Sequence, residues 1–216
     1  MFSIVKSGTL LIALSSVLAA CSSQENRLPI YGERDTVTKV VDGKTVTDTI
    51  YYKIPPFQFV NQDSLPVSNT MFDGKIYVTD FFFVSCPTIC PKMKTQMKRV
   101  YDKFKGNPDV MILSHTIDPQ RDTPAVLKEF ATNLGITGNQ WQFATGPRAE
   151  IFKTGKSYMV VAQEDAGAPG GLLHSGHFVL VDKEKHVRGM YDGTTEEGAD
   201  KLMADMEKLL AEYQTK

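Results

Sequence analysis

The sequence predicts an α/β fold in which a central mixed β-sheet is flanked by helices and preceded by an N-terminal β-hairpin. Patterns typical of strands and of helices alternate through most of the chain, which favours one sheet covered on both faces. Two runs, 76–84 and 110–113, are almost wholly apolar, as strands buried on both faces are. Cys86 and Cys90 stand where the first run passes into a helix. A cysteine pair at that point is typical of the thioredoxin-like architecture, which we expect for residues 55–216.

The composition is that of an ordinary globular protein. The chain has 216 residues, 24 basic against 25 acidic side chains, a net charge of −1 and a hydrophobic fraction of 42%. A nucleic-acid-binding protein usually carries a basic excess, so we expect no nucleic-acid partner. The three cysteines are too few for a disulfide scaffold, and their odd number requires a separate explanation for each thiol.

Residues 1–20 have the layout of a secretion signal. A short start carrying Lys6 is followed by the apolar run 10–18, which is too short to span a bilayer. The Leu-Ala-Ala sequence before Cys21 resembles the bacterial lipobox, whose cysteine is lipidated and becomes the new N-terminus. We therefore expect a lipoprotein of the cell envelope, anchored to a membrane through Cys21 with its domain outside the cytoplasm. The alternative is a plain signal peptide followed by an accidental cysteine.

Two short segments precede the domain. Residues 21–35 are polar and lack periodicity, which predicts a flexible tether. Residues 36–54 contain two runs rich in β-branched side chains around an Asp-Gly pair, a strong signal for a hairpin. A Pro-Pro pair ends this β-hairpin extension, to which the sequence assigns no function.

The first half of the domain predicts alternating strands and helices. The helix after the cysteines has apolar residues spaced for one buried face. The next helix opens on Thr-Pro, a capping residue followed by proline in the first helical position. The predicted strands are 57–62, 76–84 and 110–113, and the predicted helices are 91–105 and 124–134.

The second half continues this alternation. A charged Lys-Glu-Lys turn between two apolar runs indicates a hairpin, a segment rich in Gly and Ala indicates a flexible loop, and the last segment is amphipathic. The predictions are a helix at 147–156, a strand at 158–162, a loop at 166–171, strands at 177–182 and 186–191, and a helix at 196–213.

Cys86 and Cys90 are predicted to form one site. If Cys90 lies in the first helical turn, the two thiols share a side of the helix, whose positive end lowers thiol pKa values. Two adjacent thiolates can close reversibly to a disulfide or hold a soft metal. Thioredoxin-type oxidoreductases have two residues between the cysteines, whereas this chain has three. A purely structural disulfide is the third possibility.

A metal on two thiolates needs a further ligand, and the chain has four histidines. His115 ends the second buried strand and could approach the site, although a core position is commoner, and His186 is expected to be a solvated turn residue. His174 and His177 would face opposite sides of a strand, and His174 borders the flexible loop, where functional residues are common. Spacing alone leaves the choice open. Two sulfurs and one imidazole suit Cu(I) or zinc, and three-coordination favours Cu(I).

Four motifs then occur in order between about residue 57 and the C-terminus. They are Cys86-Pro87-Thr88-Ile89-Cys90-Pro91, Asp118-Pro119-Gln120-Arg121-Asp122-Thr123-Pro124, Gly135-Ile136-Thr137-Gly138, and His174-Ser175 with Leu180-Val181-Asp182. Together they resemble the CPxxCP, DPxRDTP, G-[LI]-T-G and HS…L[IV]D motifs of the Sco family (synthesis of cytochrome c oxidase, also SenC). Four motifs in register are far more specific than any one of them.

The resemblance implies a thioredoxin-like, copper-binding protein. It makes Cys86 and Cys90 the thiolate ligands and His174 the imidazole ligand, in preference to His177. It also places Asp118 near the metal site, where the carboxylate could orient His174 or tune the thiols, or could serve only the turn before the next helix.

Two further details follow from the same resemblance. Arg121 and Asp122 are expected to order the loop and not to act in catalysis. Leu173 departs from the family, in which an aspartate is common at this position, so any tuning supplied there is in doubt.

The implied function is that of a copper metallochaperone. It would help to assemble the binuclear copper A centre in subunit II of cytochrome c oxidase, or would supply another copper acceptor. The alternative is an enzymatic role, in which Cys86 and Cys90 reduce cysteines of the acceptor without stable copper binding. Peroxide reduction is weaker because no proline precedes Cys86 at the spacing that peroxiredoxins use.

Overall fold

The structure is a computed structural model that describes residues 27–214; the predicted signal peptide and Cys21 lie outside the described residues. The strands in this range are β1 (Arg34–Val41), β2 (Lys44–Tyr51), β3 (Gln58–Asn61), β4 (Pro66–Ser68), β5 (Ile76–Phe82), β6 (Val110–Thr116), β7 (Trp141–Thr145), β8 (Ala162–Glu164), β9 (Leu172–His174), β10 (His177–Val181) and β11 (Val187–Asp192). The α-helices are α1 (Cys90–Phe104), α2 (Pro124–Asn133), α3 (Arg148–Ser157) and α4 (Glu196–Gln214).

A seven-stranded mixed sheet forms the centre of the domain. Its strand order is β11-β10-β5-β6-β7-β3-β4. The three central strands β5, β6 and β7 are parallel, and the outer strands are antiparallel to their neighbours. The α/β class, the mixed sheet and the N-terminal hairpin predicted from the sequence are confirmed.

Both faces of the central sheet are covered. Alternate side chains of β5 point to opposite faces, so this strand packs against elements on both sides. Phe82 stacks on Phe130 of α2 at a centroid distance of 5.5 Å. On the other face, Tyr77 bonds through its hydroxyl to that of Tyr158, just beyond α3, at 2.9 Å. Helix α4 packs against β11, β10, β5 and α1. All seven residues of β5 are buried, as its apolar composition predicts.

The β1–β2 hairpin differs from the rest of the domain. The two strands pair with each other in register from Arg34 and Tyr51 to Val41 and Lys44, and in the described residues they form a separate two-stranded sheet. Fifteen of their sixteen residues are exposed. Asp42 and Gly43 both have positive φ in the turn, which explains the Asp-Gly pair at this position.

The segment before the hairpin is docked onto the domain, although the sequence predicts a flexible tether up to residue 35. Leu28 is 8% exposed, and its N–H donates to Glu212 at 2.7 Å. Arg188 donates to the Leu28 carbonyl at 2.6 Å, and Tyr31 forms a β-bridge with Val187. No helix between residues 27 and 214 is both long and apolar enough to cross a membrane.

Two details of the predicted strands are wrong. The sequence pattern does not predict the short strands β4, β7 and β9, although Trp141 and Phe143 of β7 are fully buried in the centre of the sheet. The strand predicted at 158–162 is displaced to β8 because the turn after α3 occupies its place. In that turn the N–H of Tyr158 bonds back to Thr154 and Gly155, and Met159 has a φ of 60°.

Candidate metal and redox site

Cys86 and Cys90 lie in the turn that joins β5 to α1. The N–H of Cys86 donates to the Phe83 carbonyl at 3.2 Å, and Cys90 is the first residue of the helix. Pro91 follows at a position where the missing N–H of proline breaks no helical hydrogen bond. The helix predicted at 91–105 is therefore confirmed, with Cys90 as its first residue.

His174 reaches this turn from the β8–β9 hairpin. It ends β9 opposite Ala162, and the N–H of Ser175 donates to the Val161 carbonyl at 3.0 Å. The glycine-rich loop brings the chain back into β9, and Gly170 adopts a φ of 78° there. A side chain at Gly170 would also crowd Phe83, whose ring stands edge-on to His174 at 5.9 Å.

The structure brings the three predicted ligands together. One donor atom from each of Cys86, Cys90 and His174 lies within 4.8 Å of the other two. The Cys90 Sγ is 2.9 Å from Nε2 of His174, and Nδ1 is 3.1 Å from the Ser175 carbonyl. A carbonyl can only accept, so Nδ1 carries the proton and Nε2 presents its lone pair to the thiol. The imidazole is thus oriented for ligation before any ion arrives.

The surroundings shift the pKa values of the two thiols in opposite directions. Burial raises the pKa of the Cys90 thiol well above its usual range. Burial also opposes ionisation of Cys86, but hydrogen bonds from the N–H groups of Thr88 and Cys90 outweigh it and lower the pKa of that thiol. The lowered thiol pKa predicted at the helix N-terminus is found for Cys86, whereas burial dominates at Cys90. Burial lowers the pKa of His174, which favours the neutral form that binds metals.

The other three histidines do not join this group. His177 is exposed on β10. His115 is fully buried between aromatic rings, which agrees with a core position and not with an approach to the thiols. His186 is not the solvated turn residue that the sequence predicts, because its Nδ1 lies 3.2 Å from the Asp182 carboxylate and its side chain is 12% exposed.

The Asp118 loop is ordered by its charged residues. Asp118 is 2% exposed and forms ion pairs with Arg121 at 3.1 Å and Arg148 at 3.5 Å. Asp122 accepts hydrogen bonds from Thr116 and from the N–H of Val84. Arg121 and Asp122 therefore both order the loop, though each through its own partner. The bonds of His174 go to Cys90 and Ser175, so the role of Asp118 in orienting the imidazole stays a prediction.

Sequence reasoning missed a buried ion pair next to the site. The Nζ of Lys94 lies 2.6 Å from the Asp80 carboxylate, and the two side chains are 4% and 0% exposed. A signal was present in the sequence: Asp80 interrupts an apolar run, and Lys94 follows Cys90 by four residues, on the same helix face. A charged residue on a buried element requires a partner of opposite charge. Asp80 and Lys94 could therefore have been predicted to pair with each other.

A second group of possible ligands is less suited to a metal ion. One donor atom each of Asp182, Glu184 and His186 lies within 4.8 Å of the others. Arg188 donates to Asp182 at 3.1 Å, and Asp182 also accepts the N–H groups of Glu184 and His186. The guanidinium already supplies the positive charge, so this group stabilises the β10–β11 turn.

The site offers two chemical possibilities. Two cysteine sulfurs and a neutral imidazole form a soft, three-ligand set that suits Cu(I) and lacks the fourth ligand of a structural zinc site. The same two thiols, both free, lie close enough for disulfide exchange.

Comparison with known proteins agrees with this site. A model of the SCO1/SenC family matches residues 47–211. The SCO1 protein homolog of Bacillus subtilis (strain 168) is 34% identical over 167 residues, which cover 76% of this chain and 86% of the relative.

Solved structures are similar over the same region. A SCO1/SenC family lipoprotein from Bacillus anthracis str. Ames has a TM-score of 0.67 and 29% identity, covering 74% of this chain and 95% of that one. BsSco, described with a disulfide switch and as a member of the Sco family of cytochrome c oxidase assembly proteins, has a TM-score of 0.64 and 32% identity over 73% and 93%. Yeast Sco1 with copper bound has a TM-score of 0.54 and 27% identity over 71% and 87%.

These relatives share the thioredoxin-like architecture predicted for this chain, and the matched region contains both cysteines and His174. The family model extends over more than three-quarters of the sequence, and the structure brings together the residues that the motifs single out. The chain therefore belongs to the SCO1/SenC family.

Proposed function

We propose that this protein is a copper metallochaperone that supplies the copper A centre of cytochrome c oxidase subunit II. The observation that carries the proposal is the convergence of Cys86, Cys90 and His174, whose donor atoms lie within 4.8 Å of one another. The copper bound to yeast Sco1 and the description of BsSco as an assembly protein support it.

Copper is the cargo, and it would pass to the acceptor by ligand exchange. Cys86 holds the ion beside Cys90 while His174, oriented by the Ser175 carbonyl, supplies the third ligand. An acceptor cysteine or histidine adds to the ion as one of these ligands leaves, so the oxidation state of copper does not change. Because both thiols must lose a proton to bind, affinity falls as the pH falls.

A Cu(I) titration of the purified protein against a competing chelator tests this function. The wild type is expected to bind one ion per chain, and His174→Ala and Cys86→Ser are expected to bind it more weakly. His177→Ala is the matched control, because this histidine is exposed and lies three residues from His174. Equal copper binding by all four proteins would exclude this site.

The difference between the two thiols favours a second function, the reduction of a disulfide in the acceptor. Cys86, whose pKa is lowered, attacks one acceptor sulfur and releases the other as a thiolate. Cys90 then gives up its proton to the first acceptor thiolate and attacks the Cys86 sulfur of the mixed disulfide, which releases the second acceptor thiolate. Two electrons pass to the acceptor, and Cys86 and Cys90 become a disulfide. The disulfide switch described for BsSco supports this reaction.

Trapping separates the two functions. Cys90→Ser removes the resolving thiol and is expected to accumulate a covalent adduct with a disulfide-containing acceptor, whereas Cys86→Ser forms none. His174→Ala is expected to retain reduction while losing copper affinity. Loss of both activities in His174→Ala would contradict a reductase role that is independent of copper.

We also propose that lipidation at Cys21 anchors the protein in the cell envelope, as the lipobox predicts and the Bacillus anthracis family lipoprotein supports. Cys21→Ser is expected to move the protein from the membrane fraction to the soluble fraction. Retention of this variant on the membrane would exclude the lipid anchor.

A further inference from the structure

A polar network is buried beside the two cysteines. Lys94 of α1 donates to Asp80 of β5 at 2.6 Å and to Ser114 of β6 at 3.2 Å. Ser114 donates in turn to the other oxygen of Asp80, and the indole N–H of Trp141 donates to Ser114 at 2.9 Å. All four side chains are buried, and the network links the first turns of α1 to three strands of the central sheet.

The position of Lys94 relates this network to the proposed copper site. Lys94 follows Cys90 by four residues, so the two side chains share a face of α1. Lys94, Cys86 and Cys90 line one groove of about 540 Å³. The ammonium lies 3.8 Å from the centroid of the Phe82 ring, which holds it against the sheet.

Folding stability does not account for this ion pair. Removing two charges from water is costly, and buried pairs can often be replaced by apolar residues of similar volume without loss of stability. A buried lysine is also among the rarest features of a protein core. The network therefore calls for an explanation in terms of the neighbouring site.

The charge of the site supplies that explanation. Two thiolates and one Cu(I) leave a net charge of −1 in a region where water is largely excluded. Asp80 reaches the ammonium from β5, whereas Cys90 and Lys94 both lie on α1.

We propose that Lys94 is a positioning residue for the copper site, held by Asp80 and Ser114 so that its positive charge offsets the negative charge of the metal-bound thiolates. The inference rests on the proposed copper function. It assigns to Asp80 the task of fixing the ammonium and not of contacting the metal.

The test compares Cu(I) affinity and stability in four forms of the protein: wild type, Lys94→Met, the Asp80→Asn/Lys94→Met double variant and Lys98→Met. Affinity is measured by competition with a Cu(I) chelator, and stability by thermal unfolding without copper. Lys98→Met is the matched control, since Lys98 lies one turn further along the same helix, lines the same groove and forms an exposed pair with Asp102.

Lys94→Met is expected to weaken Cu(I) binding by roughly 10- to 100-fold, as is usual for residues that support metal ligands. It also leaves Asp80 buried and unpaired, so the apoprotein melts at a lower temperature. The double variant removes that penalty and is expected to recover most of the thermal stability but none of the copper affinity. Lys98→Met is expected to bind copper like the wild type.

Each other outcome has a definite meaning. If the double variant binds Cu(I) as tightly as the wild type, the pair serves only the fold, and the positioning role is overturned while the copper function stands. The same conclusion follows if Lys98→Met weakens binding as much as the loss of Lys94 does. If the wild type itself does not bind Cu(I), the proposed function fails, and this inference fails with it.

Discussion

Two buried histidines of this protein show how the surroundings of a side chain decide its use. His174 is 6% exposed and bonds through both ring nitrogens, to the Cys90 thiol and to the Ser175 carbonyl. His115 is fully buried, and neither of its nitrogens has a hydrogen-bond partner among residues 27–214. Burial lowers the pKa of both imidazoles. The same side chain thus lies beside two thiols in one place and packs in the core in the other.

The region around each histidine explains this difference. His174 lies on a short hairpin outside the main sheet, facing a turn that carries two sulfurs. His115 lies on the central strand β6 and stacks on Phe81 at a centroid distance of 4.8 Å, with Phe57, Phe59 and Tyr158 around it. His174, on a hairpin outside the main sheet, finds hydrogen-bond partners for both ring nitrogens. His115, inside the main sheet, is surrounded by aromatic rings that offer none.

The sharpest test of this comparison is copper binding, where we expect the largest effect. His174→Ala removes one of the three proposed ligands and is expected to lower Cu(I) affinity by on the order of 100-fold, about 2.7 kcal/mol. His115→Leu should leave the affinity within twofold of the wild type. The measurement is chelator competition under reducing conditions. A comparable loss in both variants would mean that the two histidines are coupled.

Acid stability is expected to show the next largest effect. Burial lowers the pKa of His115 to about 3, below the 6.5 of an exposed histidine. Between these values the unfolded chain binds a proton that the folded chain does not, so stability falls as the pH falls through this window. Because of His115, the free energy of unfolding is expected to fall by about 2 kcal/mol between pH 7 and pH 5.

Urea unfolding of the apoprotein at these two pH values checks this expectation, and His115→Leu should remove that share of the difference. His174→Ala is the comparison, because its imidazole also has a lowered pKa but keeps hydrogen-bond partners. An unchanged pH dependence in His115→Leu would assign the acid sensitivity to other groups.

The smallest expected effect concerns stability at neutral pH. Two imidazole nitrogens without partners carry a desolvation cost, so His115→Leu is expected to stabilise the apoprotein by about 1 kcal/mol. His174→Ala should instead destabilise it by a similar amount, because its two hydrogen bonds and its contact with Phe83 are lost. Both values come from unfolding at pH 7. A marked destabilisation by His115→Leu would indicate that ring packing outweighs the polar cost.

The same comparison shows how far the sequence could predict the site. The cysteine turn follows from local rules, since a strand, a turn and a helix start are all encoded within residues 76–105. Spacing does not decide which histidine is the ligand. His115 follows an apolar strand and His174 follows a flexible loop, and either segment could lead to the thiols. The family motifs selected His174, and the structure supplies the reason in the β8–β9 pairing.

The predicted elements fail where contacts distant in sequence decide. The five residues of β7 are too few for periodicity to establish a strand, and their burial depends on β6 and β3 on either side. The turn after α3 displaces the strand predicted at 158–162. Asp80 and Lys94 are fourteen residues apart, and only the packing of α1 on the sheet brings them together.

The docked N-terminal segment and the cysteine turn lie at opposite ends of the central sheet. Tyr31 pairs with Val187, which lies beside Val181 and, through it, beside Tyr77 near the first residue of β5. The cysteine turn follows the last residue of the same strand, so the two ends are separated by about 20 Å along the sheet. Any force applied to the chain upstream of residue 27 therefore acts on the end of the sheet remote from the thiols.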